Sequence, residues 1–259
     1  MKVIILAGGM GTRLGQQAEI IPKPMVLIGN KPILWHIMKI YSHQGFSDFI
    51  ICLGEKGHVV KDYFSRYDSL NKDFTVEVAS GNIEYLSDHD EANWRVTLVD
   101  TGQDTLKGGR IKRVGKYLDS ETNMLTYGDG LADVDLNKLL EFHKSHGKIV
   151  TITGVHRPSW FGELDEDGGL VHSFIEKPKV SKGLINGGFM VFNKEMLDYL
   201  SEDKDCDFEI GALERLAKSG QVMAYKHEGR WECVDHERDI LFLNNLWRNN
   251  EAFWKIWKS

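Results

Sequence analysis

Short apolar runs alternate with amphipathic stretches over the first half of the chain. The runs at 3–7, 49–53 and 124–127 are mostly apolar, which predicts strands that are buried on both faces. The stretches at 30–45 and 59–67 repeat apolar residues every three or four positions, as a helix with one buried face does. This alternation predicts an α/β fold, with a Rossmann-like mixed but mainly parallel sheet flanked by helices.

The pattern changes in the second half of the chain. Strand-like runs at 149–155, 170–175 and 189–192 follow one another with little amphipathic sequence between them. Helical patterns return near 208–219 and 236–253. We therefore expect the sheet to gain mixed strands here and a smaller β subdomain to form beside it.

Composition narrows the classes of function. Of the 259 residues, 42% are hydrophobic and 27% are charged, with a net charge of −6, as in an ordinary globular protein. The chain shows no basic footprint for nucleic acid and no apolar run of bilayer length, and from its first residues we expect no secretory leader. We expect no nucleic-acid or membrane partner and a cytoplasmic location, where the three cysteines are reduced thiols. The absence of linkers and repeats predicts a single domain over 1–259, with halves at 1–135 and 136–259.

The first apolar run leads directly into a glycine-rich loop. Residues 8–14 read GGMGTRL and residues 22–25 read PKPM. Glycines let backbone N–H groups approach an anion closely, and the cations of Arg13 and Lys23 can neutralise it. The loop lacks the third glycine of the Rossmann fingerprint and the Gly-Lys-Ser/Thr of a P-loop. From spacing alone it is either a phosphate site or a tight turn.

Two aspartates stand where a metal ion could be held. Asp129 follows the strand at 124–127 and lies between two glycines, which leaves room for a metal and a diphosphate. An Asx-turn is the alternative. Asp235 follows the apolar strand at 222–225 and opens the last helical run, so that by itself it would be interpreted as an N-cap residue.

Other polar residues are ambiguous when taken alone. Glu176 and Lys177 follow a strand-like run and could be an ordinary exposed pair. Arg110 opens a helical run and could be an exposed residue of its first turn. Asn186 lies in a second glycine turn, INGGF, which would let a ligand approach the backbone.

Taken together, the GGMGTRL loop and the IPKPM segment resemble the signature of the nucleotidyltransferases that make nucleotide-sugars from a nucleoside triphosphate and a sugar 1-phosphate. The resemblance extends to the glucose-1-phosphate cytidylyltransferases. It rests on KPILWHIM at 31–38, VTLVDTG at 96–102, GGR at 108–110, TYGDG at 126–130 and INGGF at 185–189. It covers nearly the whole chain.

This resemblance implies an enzyme that joins CTP and α-D-glucose 1-phosphate to give CDP-glucose and pyrophosphate. The sugar phosphate would attack the α-phosphorus in line, Mg²⁺ would be the cofactor, and the smaller β subdomain would bind the sugar. The ring-like assemblies of the family imply a homo-oligomer. The aromatic stretch at 242–257 could form an interface or pack in the core.

The resemblance also implies four sets of site residues. The catalytic residues are Arg13 and Lys23. The nucleotide-binding residues are Leu6, Gly8, Gly9, Gly11, Thr12, Arg13, Lys23, Gly109 and Arg110. The substrate-binding residues are Tyr127, Gly128, Glu176, Lys177, Asn186, Gly187 and Trp231. The metal ligands are Asp129 and Asp235.

The chain departs from the family near the expected sugar-phosphate side. Residues 160–164 read WFGEL where RFGAL is usual, and 236–239 read HERD where TLRD is usual. At 230–231 an arginine precedes the tryptophan, and 16–21 is less basic than in relatives. Two alternatives therefore stay open. One is a cytidylyltransferase for another phosphorylated acceptor, and the other is a non-catalytic nucleotide-binding regulator.

Overall fold

The computed structural model describes residues 1–9, 21–89, 91, 93–156, 163–167, 169–175 and 183–257, with the backbone alone over 163–167 and 174–175. The strands are β1 (Val3–Leu6), β2 (Leu27–Ile28), β3 (Lys31–Pro32), β4 (Asp48–Leu53), β5 (Phe74–Glu77), β6 (Asn82–Tyr85), β7 (Arg95–Asp100), β8 (Thr122–Tyr127), β9 (Gly130–Ala132), β10 (Val150–Val155), β11 (Glu163–Asp167), β12 (Leu170–Ile175), β13 (Ile185–Asn186), β14 (Met190–Asn193), β15 (Val222–His227) and β16 (Trp231–Cys233). The α-helices are α1 (Ile33–His43), α2 (Gly57–Ser65), α3 (Tyr67–Asn71), α4 (Lys107–Val114), α5 (Leu136–His146), α6 (Glu214–Lys218) and α7 (Glu237–Arg248). Short 3-10 helices span Lys23–Met25, Gly115–Tyr117 and Lys194–Tyr199. Over the described ranges, no helix combines the length and apolarity that a bilayer crossing needs.

A mixed, mainly parallel sheet forms the centre of the fold. Its described strands run in the order β7, β4, β1, β8, β14 and β10, and β15 lies parallel to β10. The first four are mutually parallel, whereas β14 is antiparallel to both of its neighbours. β13 pairs with the last two residues of β10, and β14 pairs with the first two. The predicted fold class is confirmed, and the loops that follow β1, β4, β7 and β8 meet at one edge of the sheet.

Alternate residues of β1 belong to two separate hydrophobic cores. Val3 and Ile5 pack in the core that includes α1. Ile4 and Leu6 pack in the core on the other face, which includes Ile111 of α4. Because both faces of this strand are covered by helices, its sequence is continuously apolar rather than alternating. The two halves of the chain share this sheet, since β8 pairs with β14.

The aromatic C-terminal segment packs against α1. Trp254 is fully buried, and its indole N–H donates to Nδ1 of His36 over 3.3 Å. Trp247 and Trp257 contact the same imidazole ring. Core packing therefore accounts for these tryptophans, whereas Phe242 is 42% exposed. The homo-oligomer stays a prediction.

The predicted helices of the first half are present, but they begin and end at positions that local backbone conformation determines. The helix expected over 30–45 begins only at Ile33, because Pro32 holds extended backbone just before it. The helical pattern at 59–67 is divided between α2 and α3, because Arg66 leaves helical geometry with φ −108° and ψ 20°.

The predicted elements of the second half are less regular. The run at 208–219 is not one helix: a segment at Phe208–Leu213 is broken where Gly211 takes φ +126° and ψ −82°. The pattern at 236–253 gives a helix that ends at Arg248. β12 pairs with β11 in a separate two-stranded sheet, and its role in sugar binding stays a prediction.

Candidate active site

A cleft of about 360 Å³ lies at the edge where the parallel strands end. It is lined by the loops after β1 and β8, by the loop before α4, and by the 3-10 helix that carries Lys23. The lining residues are Leu6, Ala7, Gly8, Gly9, Lys23, Pro24, Gln103, Asp104, Thr105, Leu106, Lys107, Arg110, Tyr127, Gly128 and Asp129. Most of the described residues that were assigned to the nucleotide lie here, but Gly109 does not line the cleft.

Two three-residue strands bring both predicted metal ligands together. β9 begins directly after Asp129, and β16 ends two residues before Asp235. The two strands pair antiparallel, with Cys233 opposite Gly130. The backbone N–H of Val234 also donates to the carbonyl oxygen of Asp129 over 2.9 Å. This pairing brings the two carboxylates close to each other, and Asp129 lines the cleft.

Lys23 lies between those carboxylates. Its Nζ is 2.7 Å from Oδ2 of Asp129 and 2.9 Å from Oδ1 of Asp235. Burial lowers the pKa of Lys23, but the charges and hydrogen bonds of the two aspartates outweigh burial, so its pKa lies above the usual value. The ammonium group is therefore charged at neutral pH.

A third aspartate, which the sequence analysis missed, orients Asp235. Oδ2 of Asp239 accepts hydrogen bonds from the backbone N–H groups of Asp235 (2.9 Å) and His236 (2.7 Å). These contacts form a capping box in which His236 is the N-cap of α7. The expectation that Asp235 opens this helix was wrong by one residue, because Asp235 precedes the cap and its side chain turns to Lys23.

The two carboxylates fit a magnesium ion. Oxygens of Asp129 and Asp235 converge on one cationic atom, Nζ of Lys23, so they can share a cation. Mg²⁺ is commonly bound by one or two carboxylates, with waters and substrate phosphates as its other ligands. The described residues contain no group of three or more metal-binding side chains.

Arg110 is buried beneath the cleft, at 4% exposure. Its guanidinium donates to the carbonyl oxygens of Gly8, Leu53, Gly102 and Gln103 and to the hydroxyl of Thr101, over 2.7–3.0 Å. One side chain thus joins the loops that follow β1, β4 and β7. The interpretation of Arg110 as an exposed residue is wrong. Its direct contact with a nucleotide stays a prediction.

The glycines before Arg110 allow close packing of α4. A Cβ atom on Gly109 would lie 2.4 Å from the carbonyl oxygen of Asp203, and one on Gly108 would lie 2.7 Å from the carbonyl oxygen of Cys206. The N–H of Gly109 donates to that carbonyl of Cys206 over 3.0 Å. The GGR segment therefore has a packing role in this fold.

Four residues assigned to the sugar phosphate form a second group. Nδ2 of Asn186 donates to the hydroxyl of Tyr127 over 2.9 Å, and the indole N–H of Trp231 donates to the carbonyl oxygen of Gly187 over 2.8 Å. Gly128, a further residue of this set, lines the cleft beside Tyr127. Tyr127 thus lies in both the cleft and this group.

Sequence reasoning also missed Glu209 and Lys107. The hydroxyl of Tyr127 donates to Oε1 of Glu209 over 2.8 Å, and Nζ of Lys107 pairs with the same oxygen. Oε2 of Glu209 is buried without a hydrogen-bond partner in the described part of the chain. Burial and the Glu209 charge raise the pKa of Tyr127, so the phenol keeps its proton. No motif marked Glu209, because its segment reads as ordinary helix.

Several predicted site residues lie outside the described residues. They are Gly11, Thr12, Arg13, Glu176 and Lys177. Their roles in binding the triphosphate and the sugar phosphate stay predictions.

The family of the chain follows from its match to known proteins. The family model described as Nucleotidyl transferase matches residues 2–249. The chain belongs to this nucleotidyl transferase family. Within the family, a glucose-1-phosphate cytidylyltransferase of Salmonella typhi is 48% identical over 259 residues, which cover 100% of both chains. A probable glucose-1-phosphate cytidylyltransferase of Bacillus subtilis is 41% identical over 257 residues, 99% of this chain and 100% of that protein. The resemblance noted in the sequence is confirmed.

The fold agrees with that of a solved relative. HddC from Yersinia pseudotuberculosis superposes with a TM-score of 0.69 at 25% identity, over 95% of this chain and 99% of its own. Triphosphate binding by the glycine-rich loop, by Lys23 and by the two aspartates stays a prediction.

Proposed function

We propose that this nucleotidyl transferase joins CTP and α-D-glucose 1-phosphate to give CDP-glucose and pyrophosphate. The observation that carries the proposal is the 48% identity, over the full length of both chains, to the Salmonella typhi glucose-1-phosphate cytidylyltransferase. The geometry agrees with it, because Lys23 and Asp129 line a cleft with a glycine-rich wall and Asp235 pairs with the same lysine.

The reaction needs little covalent help from the protein. An oxygen of the sugar phosphate attacks the α-phosphorus of CTP, and a new P–O bond forms as the bond to the β-phosphate breaks. Pyrophosphate leaves with that electron pair. The main tasks of the enzyme are to align the two anions and to neutralise developing charge. We assign charge neutralisation to Lys23 and Arg13, and alignment of the triphosphate to the backbone of Gly8, Gly9 and Gly11.

Magnesium completes the charge balance in this proposal. Asp129 and Asp235 would hold the ion, which supplies positive charge to the phosphates when it is bound. Lys23 would then turn from the carboxylates toward the phosphate oxygens, since the metal ion would neutralise both aspartates in its place. The sugar would be held by Asn186, Gly187 and Trp231.

A matrix of nucleotides and acceptors tests this function. CTP, UTP and dTTP are each combined with glucose 1-phosphate and with other sugar and small-polyol phosphates, and pyrophosphate release is measured. We expect the highest kcat/KM for CTP with glucose 1-phosphate. No turnover with this pair would overturn the proposal. Turnover with a different acceptor would identify a cytidylyltransferase of other specificity, and no turnover at all would support a binding regulator.

A further inference from the structure

The residues on both sides of Glu209 fix the position of its backbone. The residue before it in the core, Phe208, is fully buried. The carboxylate of Asp207 accepts the backbone N–H of Ile210 over 2.7 Å. Gly211 then breaks the segment with φ +126°, a backbone that favours glycine. The side chain of Glu209 is thereby directed at the hydroxyl of Tyr127.

A directed series of hydrogen bonds passes through this carboxylate. Lys107 can only donate, and an ionised Glu209 can only accept. The phenol of Tyr127 must therefore donate to Glu209, at 2.8 Å, and it must accept from Nδ2 of Asn186, at 2.9 Å. The raised pKa of Tyr127 agrees with a phenol that keeps its proton.

The series fixes which atoms of Asn186 remain available. Its Oδ1 accepts the backbone N–H of Gly188 over 3.0 Å, and one hydrogen of Nδ2 is used by Tyr127. Within the described ranges, no residue accepts the second hydrogen of Nδ2, and the side chain is exposed. A ligand oxygen that approaches this nitrogen must accept a hydrogen bond.

Glu209 is expected to lower the stability of the fold. Its Oε2 is buried, and the described residues offer it no partner. A buried acceptor that is left without a partner destabilises the fold, and a charged one does so more strongly. Such a residue is more readily explained by the site that it organises than by stability.

We propose that Glu209 is a positioning residue that sets the hydrogen-bond direction of Asn186, so that Asn186 presents an N–H donor to a hydroxyl oxygen of the sugar phosphate. The inference rests on the proposed function, because it takes the acceptor to be a sugar phosphate. We name the series of Lys107, Glu209, Tyr127 and Asn186 the acceptor relay. Lys107 lines the cleft, so in this proposal the acceptor relay extends from the cleft that binds the nucleotide to the hydroxyl groups of the sugar.

The test separates acceptor binding from nucleotide binding. Glu209→Leu removes both oxygens, Glu209→Gln retains one acceptor oxygen, and Tyr127→Phe removes the central hydroxyl. Glu214→Gln, on the exposed side of the next helix, is the matched control. KM and kcat are measured for glucose 1-phosphate and for CTP. We expect Glu209→Leu and Tyr127→Phe to raise KM for glucose 1-phosphate by about 10-fold or more, as loss of an oriented hydrogen bond does. KM for CTP should change far less, and Glu209→Gln should lie between Glu209→Leu and the wild type.

Fluorinated acceptors report the hydrogen-bond direction itself. Fluorine can accept a hydrogen bond weakly but cannot donate one. We expect the wild type to tolerate fluorine at the glucose hydroxyl that faces Asn186, and both relay variants to lose that tolerance. Equal rises in KM for the two substrates, or unchanged fluoro-to-parent ratios at every ring position in folded variants, would overturn the inference. Melting temperatures identify any variant that fails to fold, and Tyr127→Phe, which preserves the ring, then decides.

The wild type provides the separate check on the proposed function. If it turns over CTP with glucose 1-phosphate while the relay variants behave like it, the acceptor relay is refuted and the function stands. If the wild type does not turn over this pair, the proposed function fails. The inference that the acceptor relay orients Asn186 toward glucose 1-phosphate then fails with it.

Discussion

At the scale of single residues, one ammonium group separates two carboxylates that would otherwise repel each other. Lys23 is within 2.9 Å of both Asp129 and Asp235, and it also lines the cleft. Under the proposed function, it serves the aspartates and the phosphates of a bound nucleotide in turn. No other described lysine is placed between this pair of carboxylates.

Replacement of Lys23 by methionine should abolish most turnover. The variant keeps the length of the side chain but removes its charge, so we expect kcat/KM to fall by about 100-fold or more, as loss of an electrostatic group in a transition state does. Pyrophosphate release measures the effect. Lys144→Met, on an exposed position of α5, is the control and should retain wild-type turnover. A Lys23→Met enzyme within threefold of the wild type would contradict the role of Lys23.

Asp129→Asn tests the metal site. An amide oxygen is a weaker ligand than a carboxylate for Mg²⁺, so we expect no measurable magnesium-dependent turnover while the melting temperature stays close to that of the wild type. Asp198→Asn, at an exposed site, serves as the control, and chelation of magnesium should stop the wild type reversibly. Near-normal turnover of Asp129→Asn at low magnesium would place the metal elsewhere.

At the scale of elements, local sequence predicts the strands well and the site only in part. The run of β1 is apolar because both of its faces are covered, and this local signal was sufficient to predict the strand. The pairing of β9 with β16 was not predicted, because strands of three residues have no measurable periodicity and their partners are far apart in the sequence. Yet this pairing is what brings Asp129 beside Asp235.

Residues next to a strong strand could be placed from the sequence, whereas residues positioned by distant segments could not. Gly128 and Asp129 follow a strong strand, so their place at the sheet edge could be predicted from position alone. Arg110 follows two glycines whose packing partners, Cys206 and Asp203, are supplied by a distant segment, so its burial could not be predicted. Glu209 belongs to no motif and acquires its partners only through the tertiary fold.

Gly109→Ala should loosen α4 from the segment that packs on it. The new Cβ would lie 2.4 Å from the carbonyl oxygen of Asp203, so the backbone must move. We expect a loss of about 1–3 kcal/mol in the free energy of unfolding, typical of overpacking, when measured by urea denaturation. Gly183→Ala is a matched control, since its Cβ would meet nothing within 4 Å. Equal stabilities of the two variants would contradict this packing role.

At the scale of the whole molecule, stability depends on a buried histidine. His36 is fully buried, its Nε2 contacts the carbonyl oxygen of Ile28 over 2.9 Å, and its Nδ1 accepts from Trp254. These contacts assign the neutral ring with the proton on Nε2. Burial lowers the pKa of His36 to about 4, which the Ile28 carbonyl opposes and the Lys31 charge reinforces.

Acid should therefore destabilise the fold through His36. The unfolded chain binds a proton near pH 6.5 and the folded chain only near pH 4, so the free energy of unfolding falls as pH decreases between these values. The linkage amounts to about 3 kcal/mol at 1.36 kcal/mol per pH unit. His36→Gln can still donate to Ile28 and accept from Trp254 but does not titrate. Urea unfolding at several pH values should show a shallower decline for the variant, and parallel curves would refute the prediction.

The contact between His36 and Trp254 joins residues that are 218 positions apart. During translation α1 leaves the ribosome long before the tryptophan that covers its histidine has been synthesised. The core that includes α1 can therefore close only after Trp254 has been synthesised, and until then part of its apolar surface is uncovered. We therefore expect the need of the newly made chain for chaperones to depend on the path of its chain as much as on its composition.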